Sequence, residues 1–285
     1  LFGLRSEYSK TGSNDQQNLF IIDKKYINFF PTAHFTYELN DAINLQLSYS
    51  RRISRPGFWQ LNPFGGIADR RVIRIGNPDL NPVYTDSYEI GTLIKWKQLS
   101  INPSVYHQFS KNIFEDINYY NSEGTLIEQS VNFGTESRLG AEISINYSPF
   151  KWLTLSSEMN YYSFKQDGMF SVSDHAFTSR LNTKIKHKTW NFQTSYNYVG
   201  ARKSGQLDEK SYTIVDIAFG KDIWKEKATI TLKAENLLNS QVFKGAVNGT
   251  DYTIDYAIQG IGPRVYATFT YRFNRKKTDA ERLPD

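Results

Sequence analysis

The chain has no cysteine, which removes disulfides, thiolate metal sites and cysteine nucleophiles. No apolar run approaches the roughly 18–20 residues that a transmembrane helix requires, so helical spanning is excluded. There is no initiator methionine, basic start or apolar signal-peptide core. The chain opens directly on "LFGLRSEYS" (1–9), which reads as part of a mature or truncated piece of a longer protein. The net charge is +5, but no basic block precedes "RKK" at 275–277, so nucleic acid is not indicated as a partner. Catalytic patterns are equally scarce. His34, His107, His175 and His187 are scattered without metal-ligand spacing, and no G-x-S-x-G elbow occurs. Ser173, Asp174 and His175 are merely consecutive, which is not a triad. No enzyme, cofactor or resident metal is expected. The acids of "DYTID" (251–255) and "DINYYNSE" (116–123) are read as solvated loop residues, with calcium binding through oxygen ligands as the rarer alternative.

Aromatic residues are plentiful: 19 Tyr, 19 Phe and 5 Trp among 285 residues. Many stand in stretches that alternate with period two, a strand signal. In the last such stretch Val265, Ala267, Phe269, Tyr271 and Phe273 alternate with Arg264, Tyr266, Thr268, Thr270 and Arg272. The same pattern recurs near 43–50, 99–109, 138–147, 153–161, 190–198 and 228–235, and more weakly near 1–9, 26–39, 84–97, 174–186 and 211–221. This makes about twelve strands and no helix, many strands being about 9–13 residues long. Ordinary strands average about 5–6 residues, whereas a tilted membrane strand needs about 9–11. Pro103 falls inside one strand and should remove a ladder hydrogen bond, giving a bulge or a local distortion.

The connections alternate in length. Short links fall at 38–42, 96–99, 148–152, 186–189 and 221–227; long ones fall at about 10–25, 53–83, 113–130, 164–174, 201–210 and 239–261. Short periplasmic turns and long outer loops mark an outer-membrane barrel. Trp96, Trp152, Trp190 and Trp224 all sit at short turns, as a periplasmic-side aromatic girdle would. A soluble sandwich would leave the polar opposite faces unexplained. The expected fold is therefore all-β, a transmembrane antiparallel up-and-down barrel in the bacterial outer membrane, surrounded by lipid. Arg5, Glu142, Glu158, Arg180, Lys233 and Arg272 should face the lumen.

Residues 50–91 carry more specific information. "SRRISRPGFWQLNPF" is followed by "RIGNPDLNPVYTDSYEIG", and later comes "AENLLNSQVF", with Asn236 and Asn239. Arg55, Pro56, Leu61, Asn62, Pro63, Phe64, Gly76, Asn77, Pro78, Leu80, Pro82, Tyr88, Glu89 and Gly91 closely resemble a segment from the C-terminal half of TonB-dependent outer-membrane receptors. That resemblance implies a larger barrel of about 22 strands, of which this chain is the C-terminal portion. Residues 1–274 would form the barrel and 275–285 a periplasmic tail. It also implies a plug domain absent from this chain, coupling to the TonB energy-transduction complex, and import of a scarce nutrient captured outside. Surface lipoproteins or other envelope subunits are further candidate partners, and a scaffold barrel without transport is the alternative.

Prolines fix φ, so Pro78 and Pro82 stiffen "GNPDLNP". Asp79 and Asn81 are expected to close Asx turns there. Arg55, Pro56, Asn62, Pro63, Gly76, Asn77, Pro78 and Pro82 are read as a loop brace. Phe58, Trp59, Tyr119, Tyr120, Phe243 and Tyr252 are read as exposed outer-loop aromatics and, together with Phe64, as candidates for ligand or partner binding, since aromatics give large contact area at low entropy cost; for Phe58, Trp59 and Phe64, burial against the brace is the equal alternative.

Overall fold

The computed structural model describes residues 1–14, 21–64, 66–69, 72–169, 171–249 and 251–273. Its strands are β1 (Phe2–Asn14), β2 (Ile21–Asn40), β3 (Ile43–Ser54), β4 (Gly66–Asp69), β5 (Val72–Ile75), β6 (Val83–Trp96), β7 (Leu99–Tyr120), β8 (Leu126–Phe150) and β9 (Leu153–Gly168). They continue with β10 (Ser171–His187), β11 (Trp190–Val199), β12 (Arg202–Ser204), β13 (Leu207–Glu209), β14 (Tyr212–Ile223), β15 (Ala228–Glu235), β16 (Val242–Asn248), β17 (Thr253–Gln259) and β18 (Arg264–Tyr271). One short helix, α1 (Phe58–Leu61), lies between β3 and β4, where the sequence reading expected no helix.

Twelve strands form one antiparallel wall in the order β1-β2-β3-β6-β7-β8-β9-β10-β11-β14-β15-β18. Consecutive wall strands are neighbours throughout, as an up-and-down barrel requires. β1 and β18 end the wall and do not pair with each other, so the wall is a partial barrel.

Alternation determines how this wall faces its surroundings. Leu47, Ile90, Val105, Ala141, Tyr161 and Phe177 form one cross-strand row. Its members are exposed, Ile90 by 67%. The neighbouring row runs Gln46, Gly91, Ser104, Glu142, Asn160 and Thr178. Side chains in a strand point alternately to opposite faces, so an apolar outer surface backs a polar inner one. Arg180 lies on the inner face, 3.6 Å from Glu158, and donates to Asn197 at 2.8 Å. Pro103 interrupts the β6–β7 ladder: pairing resumes at Gly91–Ser104 and Ile94–Ile101 without a change of register. The expected distortion is thus a gap rather than a bulge.

Short turns occupy one rim. Lys97, Lys188 and residues 224–226 adopt positive φ there, a strained choice for residues with a Cβ. Trp96, Trp152, Trp190 and Trp224 are exposed beside these turns.

The other rim departs from the sequence reading. Strand continues to Asn14 and resumes at Ile21, it reaches Tyr120 and Gly168, and only residues 121–125 and 169–170 separate the corresponding hairpins. The stretches at 113–130 and 164–174 are therefore largely strand rather than loop. The links at 201–210 and 239–261 also contain strands, which combine in a second sheet ordered β12-β13-β16-β17. The tail at 275–285 lies outside the described residues.

Candidate outer mouth

Sixteen residues separate Glu115 from the turn-side end of β7. At about 3.3 Å per residue and a tilt near 40°, it stands roughly 40 Å along the barrel axis, above an apolar band of about 25 Å. The second sheet lies at this outer level, against the inward faces of β9 and β10. Tyr106, Tyr162, Phe164 and Ala176 of the wall form a buried cluster here, with Val172 packed alongside. Tyr162, Ala176, Thr178 and Tyr212 of the wall join Arg202, Phe243 and Tyr256 around a cavity of about 230 Å³.

Neutral polar residues hold the two sheets together. Ser204 donates its hydroxyl to Glu115 at 2.9 Å, and Gln166 donates to the same carboxylate at 2.8 Å. Gln166 is only 3% exposed and also donates to Glu136 at 3.1 Å. Gln206 accepts from the Asn118 amide at 2.8 Å, and Asp174 accepts from the Lys203 amide at 2.7 Å. Gly205 sits at the tip with φ +52°, and a Cβ there would stand 3.1 Å from Glu115 Oε2. Its lack of a side chain therefore allows both the turn and the close approach. Burial pushes the Glu115 carboxyl above the usual carboxylate range, with Glu136 and Asp116 adding to the rise. Arg138 is engaged by Glu136 at 2.7 Å.

The brace is a second, separate feature. Arg55 donates to Glu7 at 2.6 Å and to Ser9 at 2.9 Å. Gly76 N donates to Asn62 O at 2.9 Å, and Asn77 N donates to Gln60 O at 2.6 Å. A Cβ on Gly76 would meet the Asn62 backbone at 2.5 Å. The expected Asx turns at Asp79 and Asn81 are corrected by the structure. Asn77 Oδ1 accepts from the Asp79 amide at 2.9 Å, while the Asn81 amide donates to Asn132 Oδ1 at 2.7 Å. Asn132 also donates to the carbonyls of Asn81 and Asn112, both at 2.9 Å. Pro78 and Pro82 flank Leu80, which is 1% exposed and whose carbonyl accepts from Lys24 at 2.7 Å. β5 adds a parallel pairing to β8.

The aromatic candidates fall into three places. Phe58 and Trp59 are exposed on α1 with ring centroids 5.2 Å apart, and Phe64 is exposed nearby in the chain. Tyr119 and Tyr120 are exposed on the β7 extension. Tyr252 is half-buried: its ring stands 5.2 Å from Tyr120, and its hydroxyl donates to Asn118 O at 2.8 Å. Phe243 is also half-buried, 5.1 Å from Tyr212. Phe243 and Tyr252 thus fasten the second sheet instead of standing free. Asn118, Asn132, Gln166, Ser204 and Gln206 were not singled out in the sequence, where isolated neutral polar residues carry no periodic signal.

Asp174 lies 3.6 Å from His175 but spends a carboxylate oxygen on Lys203. Among the described residues, no group of three His, Asp or Glu side chains is arranged to hold a metal ion.

A family model described as an outer membrane protein beta-barrel family matches residues 1–271. No curated protein matches the chain. The fold is similar to that of a siderophore receptor, PirA from Pseudomonas aeruginosa (TM-score 0.61, 14% identity, 95% of this chain and 48% of that one). It is also similar to the copper transporter OprC (TM-score 0.66, 11% identity, 95% and 44%). The FrpB iron transporter from Neisseria meningitidis gives a TM-score of 0.61 at 15% identity, over 95% and 42%. The chain spans less than half the length of these solved structures.

Proposed function

The chain belongs to the outer membrane protein beta-barrel family, and from that membership we propose that it is the wall and outer mouth of a nutrient receptor. In this reading the mouth captures a scarce solute, and the solute crosses through the lumen when a plug domain is drawn by the TonB complex. The neighbours named for siderophore, iron and copper make metal chelates and metal ions the first cargo to try.

The observation that carries the reading is the second sheet. It is built from two outer loops and leans over the inward face of the wall, so access to the lumen passes beside it. Exposed aromatics at Trp59 and Tyr120 stand at the same rim, where loops on a rigid scaffold commonly carry recognition.

The test uses the full-length protein in its own cells. A deletion strain is grown on limiting iron chelates or limiting copper, with complementation by the wild type or by Trp59→Ala/Tyr120→Ala. The expected result is loss of uptake of one cargo on deletion, abolition by an uncoupler, and weakened uptake in the double variant despite normal insertion. Uptake indifferent to both deletion and uncoupler would leave a scaffold barrel without transport as the better reading.

A further inference from the structure

The outward face carries a notch in the middle of the wall. Thr92 and Pro103 lie side by side in the register, although Pro103 has no N–H to return to the Thr92 carbonyl. Ile143 and Met159 continue that row, and Leu45 begins it. Ile90, Val105, Ala141 and Tyr161 stand above it. Small side chains at 92, 103 and 141 among larger ones leave an apolar groove of about 570 Å³. The Thr92 hydroxyl is already spent on Asn44 O at 3.0 Å. The groove spans strands β3 to β10, so closing the wall's edges elsewhere would not cover it.

Depth and charge identify the occupant. Thr92 and Pro103 are each four residues from the β6–β7 turn, roughly 10 Å up from the turn rim. That places the groove within the leaflet on the short-turn side. Ile94, Ile101 and Ile145 form an apolar track between groove and rim. At the rim, the turns carrying Lys97 and Lys151 adjoin, since Ser148 N donates to Gln98 O at 2.9 Å. Lys97 stands 5.8 Å over the Trp96 ring, and Phe150 stacks on Trp152 at 5.2 Å. Among the described residues neither lysine has a carboxylate partner.

We propose that this column binds one anionic phospholipid of the short-turn leaflet, its phosphate between Lys97 and Lys151 and one acyl chain in the groove at Thr92, Pro103 and Ala141. Free ammonium groups beside interfacial tryptophans suit a headgroup phosphate. An acyl chain fills the notch that regular strand packing leaves open.

The test is native mass spectrometry of the full-length protein in detergent, titrated with phosphatidylglycerol or with phosphatidylcholine of identical chains. The expected result is one phosphatidylglycerol retained in preference to phosphatidylcholine. Lys97→Gln/Lys151→Gln should weaken retention roughly thirtyfold, at about 1 kcal/mol per lysine. Thr92→Leu and Ala141→Leu, two independent ways of filling the groove, should each lower it, with a heat-modifiability gel confirming the folded barrel. Equal retention of both lipids, or retention unchanged by the lysine pair, overturns the headgroup site. Retention unchanged by both groove-filling variants overturns the acyl-chain site. A groove variant that instead alters oligomeric state shows a protein partner there and overturns the lipid assignment.

Discussion

At the scale of single residues, the outer mouth depends on groups that no pattern announces. Glu115 is held by Ser204 and Gln166, and among the described residues it has no salt-bridge partner: Arg138 is committed to Glu136. Its carboxyl is raised by burial, so the protonated form favours the closed contact. A raised carboxyl contributes stability that is full below the ordinary carboxylate range and lost as pH climbs through the raised value. Hydrogen exchange of residues 200–210 should therefore quicken as pH rises through that window, after correction for the intrinsic rate. Glu115→Gln should remove the dependence and keep the segment protected. Equal pH dependence in both proteins would dismiss Glu115 as the cause. Asn132 is the corresponding bolt of the brace, with three hydrogen bonds to Asn81 and Asn112. Asn132→Ala should cost about 2–4 kcal/mol locally, taking roughly 0.5–1.5 per bond. Limited proteolysis should then cut within 76–83 while the wall stays intact. The stiffness of "GNPDLNP" is legible in the sequence because prolines fix φ wherever they occur. Asn132 was not legible, since its role arises only where the folded brace meets β8.

At the scale of elements, the wall was readable because each membrane strand meets two different solvents. Its extensions were not. Beyond the apolar band both faces of β7 and β8 meet water or protein, so "NIFEDINYYNSEGTLIEQS" loses strict alternation. The register shift at Lys111–Phe114, with Asn112 at φ +57°, also changes the phase within β7. The second sheet was hidden for another reason: β13 pairs with β16, and Leu207 meets Val247 from a different loop. Strands of three residues show no period of their own. The last wall strand gives the sharpest test of facing. Ala267 pairs with exposed Leu232, and Thr268 pairs with Thr231. Ala267→Arg should impair insertion by about 2–4 kcal/mol, the cost of a midplane arginine on the lipid face, whereas Thr268→Arg should be nearly neutral. Folded yields from urea titration into vesicles measure both, and equal tolerance would remove the register.

At the scale of the whole molecule, the wall has two bare edges, and that fixes what must surround it. β1 and β18 each lack a neighbour on one side among the described residues. An unpaired strand edge in hydrocarbon leaves N–H and C=O groups without water, at several kcal/mol each, so only closed barrels of strands are stable there. Either further strands complete the circle, or β1 must swing round to β18. These 285 residues contain no cysteine, so once any cysteine elsewhere in the protein is replaced by serine the alternatives are separable by cross-linking. In full-length protein extracted from the membrane, Phe2→Cys or Leu4→Cys is paired with Val265→Cys or Ala267→Cys and exposed to a mild oxidant. Intervening strands would hold β1 and β18 many strand widths apart, at about 4.8 Å per strand, far beyond the roughly 7 Å Cα separation that a disulfide tolerates. No intramolecular bridge is expected for any pair. The 285 residues produced alone should fail to give a heat-modifiable band. A bridge in the full-length protein would show the twelve strands closing on themselves, and the lumen would then be too narrow for the plugged receptor proposed above.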